Sequence, residues 1–77
     1  MSSAKLIEMM SYLADRPGED VSAKQIAEYC KVGIPMVQHQ LNHQISMGRI
    51  YKRDTDVFRI SSEGIRWVDK RNPVIDS

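Results

Sequence analysis

Hydrophobic positions follow two different periods along this chain. From residue 3 to 16, Leu6, Ile7, Met10 and Leu13 recur at i, i+3 and i+4, with Tyr12 nearby. That spacing gives a helix one apolar face. Ser2 or Ser3 supplies an acceptor for its first free N–H groups. The stretch "RPGED" stops it, because Pro17 cannot continue a helix and Gly18 allows a turn. Val21 stands alone as an apolar residue and predicts at most a very short strand. Ser22 and Gln25 form the S-x-x-Q of a capping box and predict a short second helix. Its Ile26, Ala27 and Cys30 would face inward, with Lys24, Gln25 and Glu28 toward water. "KVG" breaks it at Gly33.

Pro35 suits the first turn of a third helix, where its missing N–H is not needed. Ile34, Val37, Leu41 and Ile45 fall on one stripe of this helix, and Gly48 ends it in a left-handed conformation. The period then changes to two. Residues 49–53 and 57–61 predict strands joined by a turn at 54–56, with Ile50, Tyr51, Val57, Phe58 and Ile60 as strand formers. Alternation sends Ile50 and Lys52 to one face and Tyr51 and Arg53 to the other. "SSEGIRWVDKR" predicts a short last helix, with Ile65 and Trp67 or Val68 packing back. "NPVIDS", residues 72–77, reads as a flexible C-terminal tail after a single domain over 1–71. The fold class is α+β, mainly α: three helices, a two-stranded hairpin and a short C-terminal helix. Two helices joined by a tight glycine-containing turn make a helix-turn-helix, and the hairpin that follows makes a wing.

Composition removes several functions. With 77 residues, the chain is near the lower limit for one core without covalent staples. Its single cysteine, Cys30, allows no internal disulfide and no Cys-x-x-Cys metal framework. A reducing, cytoplasmic setting is the expectation. No run approaches the roughly 18 apolar residues of a membrane span, and "MSSAKLIEMMSYLADR" lacks the apolar block of a signal peptide. No glycine-rich phosphate loop occurs, and Cys30 sits at an inward position, so an enzyme is not expected. The net charge is only +1, but it is unevenly spread. Residues 1–28 hold three bases and five acids; residues 29–77 hold eight bases and five acids. No acid stands between Lys31 and Arg53.

Three local signatures together resemble the winged helix-turn-helix DNA-binding domains of bacterial and phage transcription regulators. They are "VSAKQIAEYCKVGIPMVQHQL", "SMGRIYKR" and "VFRISSEG". The last is similar to the aromatic-x-[LI]-[ST]-x-x-Gly that leads from wing to last helix in families such as MarR and PadR. The resemblance spans roughly residues 4–68. The small FeoC-type regulators are similar in outline, but their wing carries a cysteine cluster that this chain lacks. One position departs from the pattern. Four residues before Gly48, where these families place Leu, stands Gln44. Either Ile45 takes over the core role or Gln44 faces a partly polar seam.

The resemblance implies a sequence-specific regulator of transcription, a small repressor or accessory factor. It would bind double-stranded DNA, working as a homodimer or on several sites, with no cofactor, membrane or small-molecule substrate. The third helix carries the base readers: Pro35 as a contact surface, then Gln38, His39, Asn42 and His43. Gln and Asn pair bidentately with adenine edges, and His donates to guanine or phosphate. The phosphate contacts fall to Ser22, Lys24 and Lys31 around the second helix and to Arg49, Lys52, Arg53 and Arg59 in the wing. Asp54 and Asp56 at the wing tip oppose phosphate approach. His39 and His43 have the i, i+4 spacing of two metal ligands, but "HQLNH" brings neither the further ligands nor a general-base Glu, so no metal site is expected. Met9, Met10, Tyr12 and Trp67 are either core or a patch for a second subunit. A rival reading gives the same surface to a protein partner rather than to DNA, and the near-neutral total charge favours it.

Overall fold

The structure, a computed structural model, describes residues 1–71. The expected tail at 72–77 lies outside the described residues. Helix α1 runs Ser3–Ala14, α2 Ala23–Cys30 and α3 Ile34–Ser46. Strands β1 (Ile50–Asp54) and β2 (Val57–Ile60) form an antiparallel hairpin, and α4 (Ser62–Arg71) closes the order. The architecture is the expected one: mainly helical, with one hairpin and a C-terminal helix.

Each boundary has a local cause. Ser2 accepts the Lys5 N–H at 3.2 Å and starts α1. Ser22 and Gln25 form the full capping box, with bonds of 3.1 and 3.0 Å in the two directions. Helix α2 ends before Gly33. It stops at Cys30 because Lys31 adopts the left-handed conformation, with φ 59°. The Lys31 and Val32 N–H groups both return to the Ala27 carbonyl, and Lys5 Nζ donates to the Cys30 carbonyl at 2.7 Å. Those bonds satisfy carbonyls that the helix end leaves free. Gly33 instead precedes α3, whose first turn holds Pro35. Gly48, with φ 77°, turns the chain out of α3 into β1, as expected.

The hairpin pairs Ile50 with Ile60, Tyr51 with Arg59 and Lys52 with Phe58, and a bulge between Lys52 and Asp54 precedes the turn. Val21 does form a strand-like contact, a single bridge to Phe58. The core takes Met9, Met10 and Leu13 from α1, Ile26 and Cys30 from α2, Val37 and Leu41 from α3, and Ile50, Phe58 and Ile60 from the hairpin. Each large apolar side chain buried in this way contributes about 1.5–3 kcal/mol. Tyr12 and Trp67 also belong to this interior, with 8% and 9% of their surface exposed. Of the two readings for Met9, Met10, Tyr12 and Trp67, packing is the one realised.

The last helix is docked by two residues of "VFRISSEG". Ser61 accepts the Gly64 N–H at 3.1 Å and donates its hydroxyl to the Gly48 carbonyl at 2.7 Å. Gly64 lies against the Arg49 carbonyl, so that an added Cβ would collide with it and would stand 2.6 Å from Ile60 Cγ1. A backbone atom on the far side cannot step aside. Gly64→Ala should therefore destabilise the fold by about 3 kcal/mol or more, read as a lower urea midpoint, whereas Gly18→Ala, with open space around it, pays only for its positive φ.

Candidate nucleic-acid interface

Helix α3 buries Val37, Leu41 and Gln44, and exposes Pro35, Gln38, His39, Asn42 and His43. All five expected base readers thus share the outward side. Residues four apart are neighbours on a helix. The outward side accordingly carries two adjacent rows. One is Ile34, Gln38, Asn42 and Ser46; the other is Pro35, His39, His43 and Met47. Ser46 is partly occupied, since its hydroxyl donates to the His43 carbonyl at 2.6 Å.

The inward stripe differs from the expected one. Gln44 is only 1% exposed, Ile45 is half-buried and Ile34 is 40% exposed. The helix is rotated about its axis toward Gln44, and a specific partner makes this possible. Arg49 Nη1 donates to Gln44 Oε1 at 3.1 Å. A charge-assisted bond of this kind offsets the cost of burying an amide. Arg49 in turn lies over the Trp67 ring, 5.1 Å from its centroid, with Arg71 over the same ring at 4.2 Å. The rotation moves Ile34 out of the interior and leaves three consecutive apolar residues, Ile34, Pro35 and Met36, exposed at the tip of the helix.

The residues expected on phosphate divide into two groups. Lys24, Lys31, Lys52 and Arg53 are exposed. Ser22, Arg49 and Arg59 are engaged inside the molecule. Ser22 caps α2, Arg49 holds Gln44, and Arg59 Nε meets Asp20 Oδ1 at 2.7 Å. Asp56 does not simply oppose an approaching anion, because its Oδ1 accepts the Ala23 N–H at 3.3 Å, at the start of α2. Asp54 accepts the Thr55 N–H in the turn. Together with the Val21–Phe58 bridge, the Asp20–Arg59 and Asp56–Ala23 contacts lash the hairpin to the segment that opens α2. These links join residues more than thirty positions apart, beyond what local spacing reveals. The sequence offered no signal for them except the isolated Val21.

Chemistry elsewhere is sparse. Cys30 is fully buried; burial pushes its thiol pKa up, Glu8 adds to the rise and Lys5 opposes it. Among the described residues no three metal-ligating side chains come together, no pocket opens, and no helix is long and apolar enough to cross a membrane.

Solved structures resemble this arrangement closely. MepR, a transcription regulator of the Staphylococcus aureus multidrug efflux pump MepA, superposes with a TM-score of 0.78 at 17% identity, over 86% of this chain and 52% of its own. S. aureus MepR in its DNA-binding conformation gives 0.76 at 17% identity, over 90% and 55%. The fold is a winged helix-turn-helix. A possible transcriptional regulator from Methanosarcina mazei gives 0.70 at 14% identity, over 92% of this winged helix and 66% of that chain. The winged helix spans about half the length of the two MepR chains. Neither a protein-family model nor a curated protein matches its sequence.

The rotation of α3 can be tested at Gln44. Gln44→Leu preserves volume and frees Arg49, which is only half-buried, to turn to water; the expected cost is under about 1 kcal/mol. Gln44→Ala leaves a cavity beneath the helix and should cost about 2 kcal/mol or more. Equal urea midpoints for the two variants would contradict a buried Gln44.

Proposed function

We propose that this chain is a sequence-specific, double-stranded DNA-binding regulator of transcription, a small repressor or accessory factor. It inserts α3 into the major groove and sets its free cations on phosphates. The observation that carries this reading is the outward side of α3: Gln38, His39, Asn42 and His43 are exposed side by side and carry no acid among them. A helix of this size fits the major groove, and uncharged donors and acceptors read base patterns there. The likeness to MepR in a DNA-binding conformation supports the assignment.

Lys24, Lys31, Lys52 and Arg53 serve as phosphate contacts, because they are exposed. Arg49, Arg59 and Ser22 act indirectly, by holding α3, the wing and α2 in place. Two copies on adjacent half-sites would give a site of useful length. Since Met9, Met10, Tyr12 and Trp67 are interior, any such pairing uses other surface.

A second reading, a winged helix that binds a protein partner, draws support from the same engaged cations. With Arg49 and Arg59 occupied, the surface is less basic than the sequence suggests. Mobility shift at low salt separates the two. Retardation of duplex fragments is expected; none with any genomic fragment would favour the protein partner.

Four phosphate contacts per copy set the salt dependence. The logarithm of affinity should fall with the logarithm of salt concentration at a slope of about −3 to −4 per bound copy. Arg53→Ala should weaken binding to all sequences and flatten that slope by about 1, while Arg59→Ala should leave the slope unchanged. Gln38→Ala or Asn42→Ala should cost about 1–3 kcal/mol on the cognate site and little on random DNA. Equal losses on both, measured by fluorescence anisotropy, would remove base reading from those residues.

A further inference from the structure

The first turn of α3 presents a feature that phosphate contacts and amide readers leave unexplained. Ile34, Pro35 and Met36 are consecutive, apolar and exposed, Ile34 by 40% and Met36 by 44%. Single exposed apolar residues are ordinary, but a run of three at the end of one helix needs a function to keep it. The N-terminal residues of a recognition helix are the ones that reach base edges. In the major groove only one base offers an apolar group, the C5-methyl of thymine. The row that begins with Ile34 continues through Gln38 and Asn42, the two side-chain types that pair bidentately with adenine. The side chains that pair bidentately with guanine, Arg and Lys, are absent from the whole of α3.

We propose that α3 reads a run of A·T pairs, with Ile34 packed on a thymine methyl group and Gln38 and Asn42 on adenines further along the groove. This rests on the DNA-binding reading above and narrows it to a class of target. Ile34 becomes a specificity-determining residue, and Pro35, one step round the helix, adds apolar surface beside it. His39 and His43, in the neighbouring row, supply single donors that suit phosphate or one acceptor on a base. The burial of position 44, where Arg49 satisfies the Gln44 amide, leaves Ile34 exposed, so the seating of α3 on the core decides which side chains meet the target.

Short duplexes selected from a random pool provide the test. The selected sequence should carry A·T pairs at its most constrained positions. A second duplex of that sequence, with deoxyuridine in place of thymidine, keeps every base pair and loses only the methyl groups. Its affinity should fall about fourfold for each methyl group that is buried. Ile34→Ala should bind the two duplexes equally, with an unchanged unfolding temperature, since Ile34 is exposed. Equal binding of both duplexes by the unaltered protein, or selection of G·C-rich sites, would overturn the thymine reading while salt-dependent DNA binding stands. Failure to bind any duplex at low salt would overturn both readings at once.

Discussion

Arg49 is the residue on which the arrangement of this molecule depends. Its N–H donates to the Gln44 carbonyl at 3.0 Å, as α3 gives way to the hairpin. Its carbonyl accepts the Ser61 N–H at 2.9 Å and lies against Gly64 of α4. Its guanidinium reaches back to the Gln44 side chain and rests over Trp67. Three elements therefore meet through one peptide and one side chain. The rotation of α3, the position of the wing and the seat of α4 are set together. An apolar residue at position 44 would fill the same space without specifying where Arg49 must go. The amide acts as a directional constraint, since its bond depends on angle as well as on distance.

That constraint also governs the surface. A charge used to fix structure is a charge withheld from solvent-borne partners. Arg49 and Arg59 both have internal carbonyl or carboxylate partners, and Asp20 and Asp56 are likewise committed. Of the residues expected on phosphate, Lys24, Lys31, Lys52 and Arg53 remain exposed, and the outward side of α3 carries no Lys, Arg, Asp or Glu. On the proposed DNA-binding reading, these cations and the neutral hydrogen-bonding groups of α3 divide the labour between attraction and discrimination. The modest total charge of the chain is consistent with this division.

Much of the fold was legible from spacing. The capping box at Ser22 and Gln25 and the turn at Gly48 each rest on a local rule, and each stands in the structure; the alternation expected of β1 breaks at the bulge between Lys52 and Asp54, and only Ile50 of that strand is buried. The failures were non-local. Gln44 could not be assigned from periodicity, since its burial depends on Arg49, a residue the pattern assigned to phosphate. Ile34 was placed inside because apolar residues usually are; the rotation that exposes it follows from Gln44. Lys31 ends α2 in a conformation that glycine usually takes, so Gly33, two residues on, misled the boundary. For the interface, exposure of the five expected readers follows from helical geometry alone, whereas the pairing of Arg59 with Asp20 depends on a contact between residues distant in the chain.

The lashing of the hairpin to the start of α2 has a consequence for encounters. A free two-stranded hairpin is floppy, and ordering it on contact with a partner costs conformational entropy. Here the Val21–Phe58 bridge, the Asp20–Arg59 pair and the Asp56–Ala23 bond complete that ordering as the chain folds. The span between the wing and the start of α2 is thus a fixed gauge. On the proposed DNA-binding reading, a duplex that meets it supplies the accommodation itself, and sequences that bend or widen with little effort gain an advantage at positions no side chain touches.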